Sequence, residues 1–141
     1  KKIFLNKKKV LILLVTSILI FGNWSIWIYA VATNKIIDAS FGYFIFPIIS
    51  VFFGYLFFKE KLNKKRIISI SLVIISTIYL LFNFSSLPWV GFSVAFLWSI
   101  YNLLRKKINV ETDIGLLIES LFILPIVVVI LYFIITTNHN I

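Results

Sequence analysis

The chain has 141 residues, of which 61% are hydrophobic and 13% charged, and its mean hydropathy is +1.06. An ordinary soluble domain carries about 25% charged residues, and with no Cys present this composition excludes a soluble globular domain, a disordered tail and a disulfide scaffold. The net charge of +9 lies in short clusters between long apolar runs, a placement that fits the basic loops of a membrane protein better than a nucleic-acid surface.

A helix crosses a hydrocarbon core of about 30 Å with about 20 apolar residues. Residues 10–31 form the first uncharged run, preceded by Lys1, Lys2, Lys7, Lys8 and Lys9. Its basic start and its Ala30-Val31-Ala32 ending also fit a cleaved secretory signal. Signal cores span only about 7–15 residues, however, and four more runs follow. Residues 39–58 form the second, with Asp38 as a candidate N-cap. Residues 67–84 form the third. Residues 88–104 form the fourth, opening on Pro88, which suits a first helical turn. Residues 114–136 form the fifth, with Asp113 as a candidate N-cap and one internal charge, Glu119. The Ile and Val content would suit buried strands, but strands run about 4–8 residues, and strands of membrane barrels alternate apolar with polar. The reading is all-α, a polytopic transmembrane bundle of five membrane-spanning helices.

The loop charges alternate. Lys35 stands alone after the first run, and Lys59, Lys61, Lys64, Lys65 and Arg66 follow the second. Arg105, Lys106 and Lys107 follow the fourth, and no Lys or Arg follows the third or fifth. The positive-inside rule then places the Lys1 end in the cytoplasm and the Ile141 end outside.

In lipid, helices associate through small residues and polar contacts. Helical spacing aligns Ser40, Tyr43, Pro47, Ser50 and Gly54 on the second run, and Ser69, Ser76, Tyr79 and Asn83 on the third. On the fourth it aligns Gly91, Ala95, Trp98, Asn102 and Arg105, and on the first Thr16, Asn23 and Trp27. These stripes read either as helix contacts or, for Asn23, Trp27, Tyr43 and Asn102, as the lining of a polar cavity. Glu119 reads either as an interfacial carboxylate favoured by its helix N-terminus or as a functional intramembrane acid. Gly115 lies one turn before it and leaves room for another helix or a substrate. Pro47 and Pro125 each remove a backbone donor inside a run and are candidate kinks.

No GK[ST] phosphate loop and no HExxH sequence occurs. The sole His, His139, lies near the end, which rules out a Ser–His–Asp set and leaves no metal or cofactor site in prospect. A membrane enzyme of lipid or polyprenol chemistry would need several carboxylates to hold metal and phosphate, and only Glu119 lies inside a run. A structural subunit is the remaining alternative. The chain also lacks Met, even at position 1, so a segment of a longer protein is expected.

Gly22-Asn23-Trp24, then Ala39-Ser40-Phe41-Gly42-Tyr43-Phe44 with Pro47, resemble the RarD-type permeases of the EamA branch of the drug/metabolite transporters. Glu60, Leu104-Arg105-Lys106-Lys107, Gly115-Leu116, Glu119 and Pro125 continue the likeness in order. Three positions depart from it. Phe46 stands where an Asn is common, Lys59 where a Gly precedes the glutamate, and Ser76 where a Gly is expected. The resemblance implies a ten-helix bacterial inner-membrane protein built as two inverted five-helix repeats. Residues 1–84 would supply three helices of the first repeat and residues 85–141 two of the second, with the remaining helices as partners. It implies a secondary carrier for an undefined small molecule, working by alternating access. The site would lie between the repeats, lined by Asn23, Trp27, Tyr43, Trp98 and Asn102, with Glu119 as a proton or cation site.

Overall fold

The computed structural model describes residues 6–84 and 86–138. Lys1, Lys2, Ser85, His139 and Ile141, which figure in the readings above, lie outside the described residues. Five helices follow one another: α1 (Lys7–Ala32), α2 (Ile36–Phe58), α3 (Lys64–Phe82), α4 (Trp89–Ile108) and α5 (Thr112–Asn138). No strand occurs among the described residues. At their basic flanks α1, α3 and α4 outrun their apolar stretches, because Lys and Arg are good helix formers and extend the ladder.

Side chains and tight turns close the helix ends. Asn6 accepts from the Lys8 and Lys9 amides at 3.2 and 3.4 Å, and Asn63 accepts from the Arg66 amide at 2.8 Å. The α1–α2 link is a Schellman turn. Asn34 sits at φ 57°, its amide reaches the Val31 carbonyl at 3.3 Å, and the Lys35 amide reaches the Ala30 carbonyl at 2.7 Å. That reversal is so short that α2 begins at Ile36. Asp38 is therefore a first-turn residue and not the N-cap, which is Lys35. Asp113 likewise lies inside the first turn of α5. Both carboxylates still complement the positive end of the helix dipole. Pro88 is the N-cap of α4, one position before its first turn.

Four helices, α1, α2, α3 and α5, are long and apolar enough to cross a membrane. The fifth, α4, has 20 residues but ends in Arg105, Lys106 and Lys107, and it is the hub of the bundle. It packs most extensively on α2, then on α1, while α5 rests on α1 and α3 on α2. The α2–α4 crossing is tight because both helices present glycine. A Cβ on Gly42 would lie 2.6 Å from the Gly91 carbonyl oxygen, and one on Gly91 would collide with the Asp38 carbonyl.

Two apolar clusters mark the two ends. Leu13, Ile108 and Ile118 join α1, α4 and α5 at the end where the basic residues gather. Phe41, Ile45 and Ala95 join α2 and α4 at the far end, where the Phe41 ring lies 5.0 Å from that of Phe84. The chain is an integral membrane bundle, and its lipid-type faces are plain on α3 and α5. No residue of α3 is buried. Its Ser69, Ser76, Tyr79 and Asn83 stripe is exposed, with Ser69 bordering the groove to α2. The reason is that α3 meets only α2 and does so through the adjoining strip around Ile70 and Val73. On α2 the buried positions Ala39, Phe41, Gly42 and Ile45 flank the predicted stripe, of which Gly54 alone is fully buried.

Candidate functional site: an aromatic cavity beside a buried charge cluster

Three helices enclose a cavity of about 420 Å³, lined from α1, α2 and α4. Its floor is Asn23, Gly42, Val94 and Ala95, all buried. Its walls are Trp27, Phe46 and Trp98, each half-buried, and its open rim is Trp24 and Tyr43, 65% and 56% exposed. Helix geometry explains the gathering. Asn23 and Trp27 share one face of α1, Tyr43 and Phe46 are three apart on α2, and so are neighbours on its surface. The two small residues Gly42 and Ala95 supply the hollow. Trp27 and Tyr43 close one side with ring centroids 5.8 Å apart. Asn23 is only 4% exposed, and its Oδ1 has no hydrogen-bond partner.

The structure thus brings Asn23, Trp27, Tyr43 and Trp98 to one cavity. It takes Asn102 elsewhere. Asn102 lies one turn beyond Trp98, donates Nδ2 to the Trp98 carbonyl at 2.7 Å, and lines a separate cavity of about 470 Å³ at the basic end. Helix rise carries it past the aromatic floor, away from the other four. Trp24, Gly42, Phe46 and Val94 are the lining residues that helical spacing alone left out. Trp24 and Gly42 stand in the motifs of the RarD-type resemblance and Phe46 at a departure from it, while Val94 carries no signal.

Glu119 lies deeper toward the basic end, 1% exposed. Its Oε1 accepts from Thr16 Oγ1 at 2.6 Å and faces Arg105 Nε at 3.7 Å. Its Oε2 accepts from Tyr101 Oη at 3.1 Å. Thr16 comes from α1, while Tyr101 and Arg105 come from α4. No close backbone approach joins α4 to α5 among the described residues, so these side chains span the gap. The Arg105 side chain is 10% exposed. Its Nη2 donates to the Thr112 carbonyl at 3.2 Å, and its guanidinium occupies the space over Gly115. The room at Gly115 is therefore filled from within the bundle. Helical spacing sets Arg105 on one stripe with Gly91, Ala95, Trp98 and Asn102, apart from Lys106 and Lys107, but nothing in the sequence pairs it with Glu119.

The cavity and the charge cluster touch. The Trp98 ring stacks on Tyr101 with centroids 5.1 Å apart and 15° between planes. One face of a cavity wall thus abuts the phenol that bonds Glu119. At the membrane edge, Glu60 is hydrogen-bonded by Lys106 and, at 3.0 Å, by Arg66. The bond from Lys106, with a smaller one from Arg66, holds the Glu60 carboxyl below its ordinary range despite some desolvation.

Residues 1–82 of the 141 match one established protein family. The chain belongs to the EamA-like transporter family. Among EamA relatives, Protein RarD of Escherichia coli K12 is 35% identical over 132 residues, covering 94% of this chain and 45% of RarD. An uncharacterized transporter of Vibrio cholerae is 42% identical over 118 residues, 84% of this chain and 39% of the relative. The uncharacterized transporter YojE of Bacillus subtilis is 38% identical over 117 residues, 83% of this chain and 39% of YojE. The chain thus spans less than half the length of the curated relatives it matches. No solved structure matches it. The RarD-type resemblance read from Gly22-Asn23-Trp24 through Pro125 is borne out, and the chain is a membrane protein of a transporter family.

Proposed function

We propose that this EamA chain forms part of a secondary carrier of the bacterial inner membrane that moves a small molecule by alternating access. The observation that carries the reading is the aromatic cavity. It is made by α1 and α2 from one side of residue 84 and by α4 from the other, so with repeats at 1–84 and 85–141 it falls on their interface. Substrate sites of such carriers lie at that interface. Asn23, Trp27, Tyr43 and Trp98 then line the substrate, and Asn102 lines the path toward the basic end. The basic clusters support a cytoplasmic basic end, with the Lys1 end inside and the Ile141 end outside.

Glu119 takes the coupling role through its neighbours. Its charge is compensated by Arg105, so it becomes free to exchange a proton or cation only when α5 parts from α4. Pro47 and Pro125, which α2 and α5 run through as single helices, are the points where such parting would bend them.

The test is flux in liposomes by the protein carrying this segment together with the five further helices of its relatives' fold. Saturable solute uptake is expected, falling at least tenfold in Asn23→Ala and Trp98→Ala. Glu119→Gln should abolish the response to a pH gradient and leave exchange intact. Uptake at wild-type rate in both cavity variants would remove the cavity from the transport path.

A further inference from the structure

We propose that Lys106 is a latch. It fastens the basic ends of α2 and α4 across the mouth of the polar cavity, and its release admits water and small polar solutes to that cavity from the basic side. This adds a moving part to the carrier reading and does not depend on it.

The two ends of the α2–α4 pair are held differently. At the far end backbone meets backbone, because Gly42 and Gly91 leave no room even for a Cβ. Such a crossing cannot open without breaking close packing on both helices. Toward the basic end the same helices enclose the cavity of about 470 Å³ instead, with Ser50 and Gly54 on α2 and Ser99 and Asn102 on α4. Side chains span its mouth. The Lys106 ammonium donates to Glu60 Oε1 and lies 4.7 Å from the centre of the Phe58 ring. The Lys107 ammonium stands 5.7 Å from the centre of the Phe57 ring.

The end of α2 sets Glu60 for this contact. Lys59 takes left-handed backbone at φ 52° and turns the chain back, so that the Glu60 amide reaches the Gly54 carbonyl at 3.3 Å. The carboxylate then lies over Gly54, where a Cβ would come within 3.1 Å of Oε2. Arg66 of α3 holds that oxygen at 3.0 Å, which leaves Oε1 to Lys106. The latch thus ties α2 and α3 to α4.

Its strength suits a part that opens. The Lys106 and Glu60 side chains are 55% and 24% exposed. Solvated ion pairs contribute little, and salt weakens them further. A cation over an exposed ring adds a similarly small amount. The buried contact of Glu119 with Arg105 is costly to break by comparison. The mouth therefore opens between α2 and α4 while α1, α4 and α5 stay joined through Thr16, Arg105 and Glu119.

The test reads access to the cavity. The protein carrying this segment, with Ser99→Cys as its sole cysteine, is placed in lipid nanodiscs. It is labelled with two methanethiosulfonates of opposite charge, one bearing a trimethylammonium group and one a sulfonate. Lys106→Gln should speed labelling about tenfold with both reagents, the worth of one exposed ion pair and one cation–π contact. Lys106→Arg keeps both contacts and should keep the slow rate. With the latch intact, about 1 M KCl should speed both reagents roughly threefold by screening the pair, and that comparison needs no variant to fold. Unchanged labelling in either comparison overturns the latch. Acceleration of one reagent and slowing of the other shows that surface charge alone was altered, and overturns it too. So does an equal rise in Lys65→Gln, which removes an exposed cation outside the cavity. A sole cysteine introduced by Val94→Cys, on the floor of the aromatic cavity of the same helix, should label at a rate that Lys106→Gln leaves unchanged. A rise there as well means that the whole bundle has loosened, and overturns a local latch. The expected pattern in a protein that moves no solute in liposomes keeps the latch and removes the carrier.

Discussion

Gly115 has no side chain because Arg105 needs its place. A methyl group there would overlap the guanidinium and push it off Glu119, whose charge has no other cationic partner among the described residues. Gly115→Ala is expected to destabilise the purified protein by about 1–3 kcal/mol, the usual range for overpacking. The same change made in an Arg105→Ala background should cost almost nothing, since the space is then empty. Thermal unfolding of the four proteins in one detergent checks this, and equal losses in both backgrounds would contradict the geometry. Lys59 is the opposite case, a side chain where none is wanted. Among the described residues three other than glycine have left-handed backbone, Asn34, Lys59 and Asn109. Asn tolerates that region, but Lys has no local hydrogen bond to offset the clash of its Cβ. The RarD resemblance places Gly at this very position, and the φ of 52° supplies the physical reason. Lys59→Gly should raise stability by about 0.5–1 kcal/mol, read as a higher unfolding midpoint, and a lower one would show that Lys59 makes a contact that matters more.

Between elements, the joint of α2, α3 and α4 at the basic end depends on Glu60. Its carboxyl is held low by Lys106 and Arg66, so its ionised form is favoured more in the folded state than in the unfolded one. That contribution is complete above the ordinary carboxylate range and is lost as pH falls through the lowered folded value. The unfolding midpoint should therefore drop on acidification below about pH 4, and Glu60→Gln should start lower and show a shallower drop. An unchanged acid limb would mean that other carboxylates control it. The five helices were legible because length and continuous apolarity survive any packing arrangement. Their starts were less so. Asp38 is a good capping residue, yet the Schellman turn at Asn34 decided where α2 begins. The third run shows the limit of a stripe: helical spacing aligned Ser69, Ser76, Tyr79 and Asn83 correctly on one face, but whether that face meets a neighbour depends on where α3 docks. Glu119 stood out as a lone charge in an apolar run. Its partners did not, because Thr16 lies 103 residues away in sequence and Arg105, though on the stripe of the fourth run, carried no mark of the carboxylate it faces. Such pairings arise from the crossing of α1, α4 and α5, which no local pattern encodes.

For the molecule as a whole, the distribution of charge predicts its orientation. With no native Cys, single cysteines can be placed at will and probed in intact cells with an impermeant thiol reagent. A cysteine at position 86 should label and one at position 64 should not, with the pattern reversed in inverted vesicles. Labelling at 64 in intact cells would turn the orientation over. The central place of α4 bears on how the protein is made. The helices with enough hydropathy to enter lipid unaided are α1, α2, α3 and α5, and during synthesis the first three leave the ribosome before α4 does. A segment that ends in three cations and carries Asn102 and Trp98 partitions poorly on its own. The two glycines of the α2–α4 crossing let it fold directly onto a helix already in the bilayer. Integration of α4 should accordingly be conditional on its predecessors: fused alone behind a reporter it should be secreted or retained outside the membrane, and behind α1–α3 it should insert.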